Sequence, residues 1–94
     1  MPQFVIERDM PGAGKMSPEQ MRDASAHSNA VLQKLSPQVQ WVQSYVTADK
    51  IYCVYNAPNE DLIRKHASES GFPANKISPV AAVINPDTGR RPAS

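Results

Sequence analysis

Two runs of β-branched and aromatic residues, Val39–Val46 and Ile51–Tyr55, stand only four residues apart, and this spacing constrains the fold more than any other feature of the chain. The break between them, Thr47-Ala48-Asp49-Lys50, has the length of a hairpin connection. A helical pattern flanks the hairpin on each side, and a further apolar run lies beyond each helix.

The upstream helix is signalled by Ser17-Pro18-Glu19-Gln20: a cap, a proline at the first helical position, and a glutamine able to reach back to the cap. Met21, Ala24, Ser28, Val31, Leu32 and Leu35 recur at spacings of three and four and form one stripe. Pro37 disfavours a helical conformation at Ser36, so the helix is expected to end near Leu35. Downstream, Asn59 is a cap, Glu60 and Asp61 suit the positive end of the helix dipole, and Leu62, Ile63, His66 and Ala67 make the inward stripe. Gly71, followed by Phe72 and Pro73, predicts a left-handed stop.

The outer runs are Gln3–Arg8 and Ile77–Ile84. Pro79 cannot donate to a sheet ladder, which predicts an edge position for the last strand. The order β-α-β-β-α-β specifies an α+β, ferredoxin-like domain: a four-stranded antiparallel sheet with two helices on one face. The domain is expected over residues 1–86, and the polar stretch 87–94 is expected to be a mobile tail.

Helices on one side leave the other side of the sheet bare. Phe4-Val5-Ile6, Trp41-Val42 and Tyr52-Cys53-Val54-Tyr55 carry apolar side chains to both sides. A two-fold partner would cover the bare side, so a homodimer is expected. The net charge of +1 gives no footprint for nucleic acid or an anionic membrane surface. No run approaches the roughly 20 apolar residues of a spanning helix. The single cysteine, Cys53, and a start without signal-peptide character make the cytoplasm the expected compartment.

Gly12-Ala13-Gly14-Lys15 is not a phosphate loop: that pattern needs a glycine where Asp9 stands and a Ser or Thr where Met16 stands. A flexible connection is expected there. His66 is the leading chemical candidate, because its place between Ile63 and Ala67 turns an imidazole toward the sheet. His27, on the flank of the first helix, is expected to be solvated. Cys53 within a strand reads as a small hydrophobe whose thiolate can also ligate a late first-row metal. Glu7, in a strand expected to be central, is the third candidate donor. Trp41, Gln43, Tyr45 and Tyr55 are candidate cavity residues, and the hairpin register decides which of them share a face.

Several long stretches resemble a small bacterial family known as domain of unknown function four-two-four-two. These are Phe4–Arg8 with Pro11-Gly12-Ala13, the whole hairpin from Trp41 to Tyr55, Ala57–Glu60, Ile63–Ala67, Gly71–Ala74 and Val83–Pro86. The resemblance implies a ferredoxin-like dimeric barrel and, since some members are described as nickel-binding, a nickel ion as cofactor. In members the position of Gln43 is often a histidine, so the glutamine here removes one imidazole from the implied ligand set.

Three functions follow as expectations. One is a non-catalytic protein holding a divalent metal through His66, Cys53 and Glu7. A second is a small cavity enzyme, monooxygenase- or isomerase-like, in which His66 is acid or base and Tyr45 or Tyr55 orients a small-molecule ligand. The third is an interaction module without chemistry.

Overall fold

The computed structural model describes residues 1–35 and 37–90. Its elements are β1 (Gln3–Asp9), α1 (Pro18–Leu35), β2 (Gln40–Val46), β3 (Lys50–Asn56), α2 (Glu60–Ser70) and β4 (Lys76–Pro79), with short 3-10 turns at Ala13–Lys15 and Pro86–Arg90. The four strands form one antiparallel sheet in the order β2-β3-β1-β4. β1 and β3 are central and β4 lies at an edge, as Pro79 requires.

The helix ends follow the sequence closely. Gln20 N–H donates to Ser17 Oγ at 3.1 Å, and Ser17 N–H donates to Gln20 Oε1 at 2.9 Å, a reciprocal capping box. Asn59 Oδ1 accepts from Leu62 N–H at 3.1 Å. Gly71 closes α2 at φ 78°, a conformation that a Cβ would strain.

Register sorts the side chains into two faces. In β1 the buried positions alternate as Phe4, Ile6 and Arg8, and across β3 they meet Tyr55, Cys53 and Ile51. This face packs on the helices, where Leu32, Leu35 and Ile63 join Phe4, Ile6, Cys53 and Tyr55 in the core. Val5, Glu7, Tyr52 and Val54 lie on the open face. A bulge between Trp41 and Gln43 shifts the phase of β2: Trp41 and Ser44 join the helix face, and Gln43 and Tyr45 the open one.

Two expectations are corrected. β4 stops at Pro79 and does not reach Ile84, because its antiparallel partner runs out: Val80 N–H donates to Gln3 O at 2.8 Å, and β1 begins at Gln3. Val83 and Ile84 are consequently exposed. The Gly12–Lys15 segment is tied down where a flexible connection was expected. Gly14 N–H donates to Ala48 O and Met10 N–H to Asp49 O, while Gly12 N–H donates to the Asp49 carboxylate. A Cβ on Gly14 would stand 2.9 Å from Ala48 Cα, so the loop can lie on the hairpin turn only with glycine there. Within the stretch expected as a tail, the turn at Pro86–Arg90 is exposed and held by Asn85 through Asp87 and Thr88. Ser36 and residues 91–94 lie outside the described residues.

Candidate functional site

Between α1 and the sheet lies a cavity of about 90 Å³ with mostly apolar walls. Met10 and Met16 come from the loop pinned to the hairpin, and Met21, Ala24, Ser25 and Ser28 from one face of α1. The sheet supplies Arg8, Trp41, Ser44, Val46, Ile51, Cys53 and Tyr55, and Phe72 enters from the end of α2. Trp41 is held by its Nε1–H, which donates to Ser44 Oγ at 2.9 Å.

Arg8 is the unusual member. Its side chain is 2% exposed, and it takes part in none of the ion pairs among the described residues. Its Nε–H donates to Cys53 Sγ at 3.3 Å and an Nη1–H to Pro73 O at 2.8 Å; the Phe72 ring centroid lies 5.9 Å from the guanidinium carbon. Nη2 is buried without any hydrogen-bond partner. A guanidinium taken from water without a counter-charge is costly, so a free Nη2 there needs a reason. In the sequence Arg8 stands only as the last residue of the first run, Gln3–Arg8, and not as a site residue. The signal was the period of two: Arg8 follows Phe4 and Ile6 on one face.

His66 is fully buried but does not itself line the cavity. Its Nε2 lies 3.2 Å from Ser28 Oγ and its ring 5.3 Å from that of Tyr55, and those two residues line the wall instead. His66 Nδ1 is buried and unpartnered. Burial, with Arg8 adding to it, holds this imidazole below its ordinary value of 6.5. The unfolded chain therefore takes up a proton that the folded chain resists, so stability is complete above about pH 6.5 and falls as the pH drops through that value. Urea unfolding at about pH 7.5 and about pH 5.5 checks this: His66→Gln should reduce the loss, and the slope from this one group cannot exceed roughly 1.4 kcal/mol per pH unit. Tyr55 is shifted upward, mainly by burial and secondarily by Cys53, and its phenol stays protonated.

The remaining candidates divide. Cys53 shares the helix face with Arg8. Glu7 lies on the opposite face, hydrogen-bonded by Lys50 at 3.1 Å, which raises the Lys50 ammonium above its usual range. Glu7 therefore does not converge with His66 and Cys53. Trp41 and Tyr55 line the helix-side cavity, whereas Gln43 and Tyr45 bond to each other on the open face beside Val5 and Val54. His27 is not merely solvated: its Nε2 sits 2.9 Å from Ser70 O and its ring meets the edge of Phe72, joining the two helices.

The family model described as nickel responsive protein SCO4226-like matches residues 4–80, nearly all of the folded domain. The chain belongs to the SCO4226-like family. The crystal structure of SCO4226 from Streptomyces coelicolor A3(2) superposes with a TM-score of 0.73 at 20% identity, covering 87% of this chain and 99% of that one, which establishes the shared ferredoxin-like fold. No curated protein sequence matches. For this SCO4226-like chain, the family description raises nickel, and the cavity residues do not fit that ion. The Cys53 sulfur already accepts from Arg8, a fixed cation lies beside it, and no carboxylate shares that face. Among the described residues no three His, Cys, Asp or Glu side chains cluster as a ligand set. No helix among them is long and apolar enough to cross a membrane.

Proposed function

We propose that this SCO4226-like protein is a dimeric binding protein whose functional site is the helix-side cavity, a pocket with an open mouth that holds a small organic molecule. One observation carries the reading: Arg8, buried with no counter-charge and with one nitrogen that makes no hydrogen bond, lines an otherwise mostly apolar cavity. Apolar walls with a few convergent polar groups are what ligand pockets have in common. His66, set behind Ser28 and Tyr55, tunes that wall and does not touch the ligand, so the reading is of binding without turnover.

The test is to denature the purified, untagged chain and to measure released organic compounds and metals in the same sample. A compound released in near-stoichiometric amount, and lost from an Ala24→Trp variant that fills the cavity, supports the reading. Stoichiometric nickel with no organic compound overturns it in favour of a metal-holding protein.

The open face completes the assembly. Val5, Val42, Tyr45 and Val54 form an apolar surface on a chain too small to leave it bare, and a second copy covers it in the barrel arrangement. Val54→Asp puts a carboxylate in the middle of that surface and is expected to turn dimers into monomers by light scattering at micromolar concentration. A dimer that survives the change would place the contact elsewhere.

A further inference from the structure

We propose that the cavity takes a small monocarboxylate, with the carboxylate on the Arg8 guanidinium and a short hydrocarbon body against Trp41 and the methionines. This inference rests on the cavity reading above and adds the chemical class of the ligand.

The charge of the site argues first. Arg8 is the one cation at the wall, it is 2% exposed, and no carboxylate of the described residues pairs with it. Two of its nitrogens are committed, Nε to Cys53 Sγ and Nη1 to Pro73 O, which fixes the plane of the fork. Nη2 alone has no partner. Nη2 is closed to solvent in the ligand-free fold, so a carboxylate reaches it once a neighbouring wall side chain shifts, and a charge-assisted hydrogen bond in an apolar setting is among the stronger polar contacts.

The neighbouring groups narrow the class. Ser28 and Tyr55 bring neutral hydroxyls to the same wall, with His66 hydrogen-bonded behind Ser28. One cation and neutral donors balance a single negative charge; a phosphate would bring a second charge with nothing to meet it. Apart from Ser25 and Ser44, the other walls are apolar, with Met10, Met16, Met21, Trp41 and Ile51 prominent, so the anion must carry a hydrocarbon part. Volume sets the length: a cavity near 90 Å³ is smaller than the roughly 150 Å³ that admits six-atom benzene, which leaves room for about two to four carbons with the carboxyl carbon included.

The experiment titrates the full-length chain with the straight-chain carboxylates from acetate to hexanoate, with butyramide as the uncharged match for butyrate, and with inorganic phosphate. Heat is measured alongside the emission of Trp41, the sole tryptophan. The expected result is saturable 1:1 binding that is best near butyrate, at least about tenfold weaker for butyramide, and negligible for phosphate. Arg8→Met should lose about tenfold or more for butyrate and clearly less for butyramide, which loses a hydrogen bond but no charge pairing. Ala24→Trp, which keeps Arg8, should block both. Butyramide or phosphate binding as tightly as butyrate would overturn the inference, and so would the absence of binding at every chain length. The compound released from the purified chain decides separately whether the cavity reading itself survives.

Discussion

An Arg8→Met variant will unfold at a higher urea concentration than the wild-type chain, with a gain of about 1–3 kcal/mol, even as it loses carboxylate binding. The sign follows from the surroundings. In the ligand-free fold the guanidinium is buried with no counter-charge, and one of its nitrogens makes no hydrogen bond. What Arg8 holds in exchange is a sulfur contact at 3.3 Å, one carbonyl at 2.8 Å and the face of Phe72 at 5.9 Å. Methionine keeps most of the apolar length of the side chain and removes the desolvated charge, and such replacements in protein interiors are commonly neutral or stabilising. The Pro73 carbonyl loses a donor, which offsets part of the gain by roughly 1 kcal/mol. A site where function opposes stability is expected to show this exchange. Destabilisation by several kcal/mol would instead make Arg8 a structural tie between β1 and the segment after α2.

Ile63→Ala is expected to cost about 2–5 kcal/mol. Ile63 is fully buried in the cluster that joins α2 to Phe4, Ile6 and Tyr55. Truncation there removes methylenes from the close-packed centre of the layer, where neither sheet nor helix can collapse to refill the space. Because a domain carries about 5–15 kcal/mol in all, this loss is a large share of the total, and the urea midpoint should fall accordingly. Leu62, one position earlier, is only half-buried against the same cluster, so Leu62→Ala should cost clearly less. Urea unfolding of the pair checks the helix phase: equal losses would mean that α2 is rotated from the orientation described.

Much of this architecture was legible because each element carries its own punctuation. The reciprocal Ser17–Gln20 cap, the Asn59 cap and the Gly71 stop are local chemistry, and local chemistry is what a sequence displays. The end of β4 was not legible. Residues 80–84 are as apolar as a strand, yet the strand stops where its partner begins, and that limit belongs to the pairing. The bulge between Trp41 and Gln43 had the same effect on the candidate cavity residues. An unbroken alternation would have kept Trp41, Gln43 and Tyr45 on one face, whereas the structure sends Trp41 to the helices and the other two to the open side. Glu7 and Arg8 exchanged importance for a related reason. Adjacent strand residues face opposite ways, so of the two charges only Arg8 was turned into the core. His66 was found by its helix spacing, but its separation from the cavity by Ser28 and Tyr55 is a tertiary fact.

Amide and side-chain NMR of the isotope-labelled chain locates the bound ligand most directly. Butyrate should move the resonances of Arg8, Ser28, Cys53, Tyr55 and the Trp41 indole and leave Val5, Tyr45 and Val54 in place, while paramagnetic nickel added to the same sample should leave the cavity resonances sharp. Nickel broadening centred on His66 and Cys53, or butyrate shifts confined to the open face, would contradict the cavity reading.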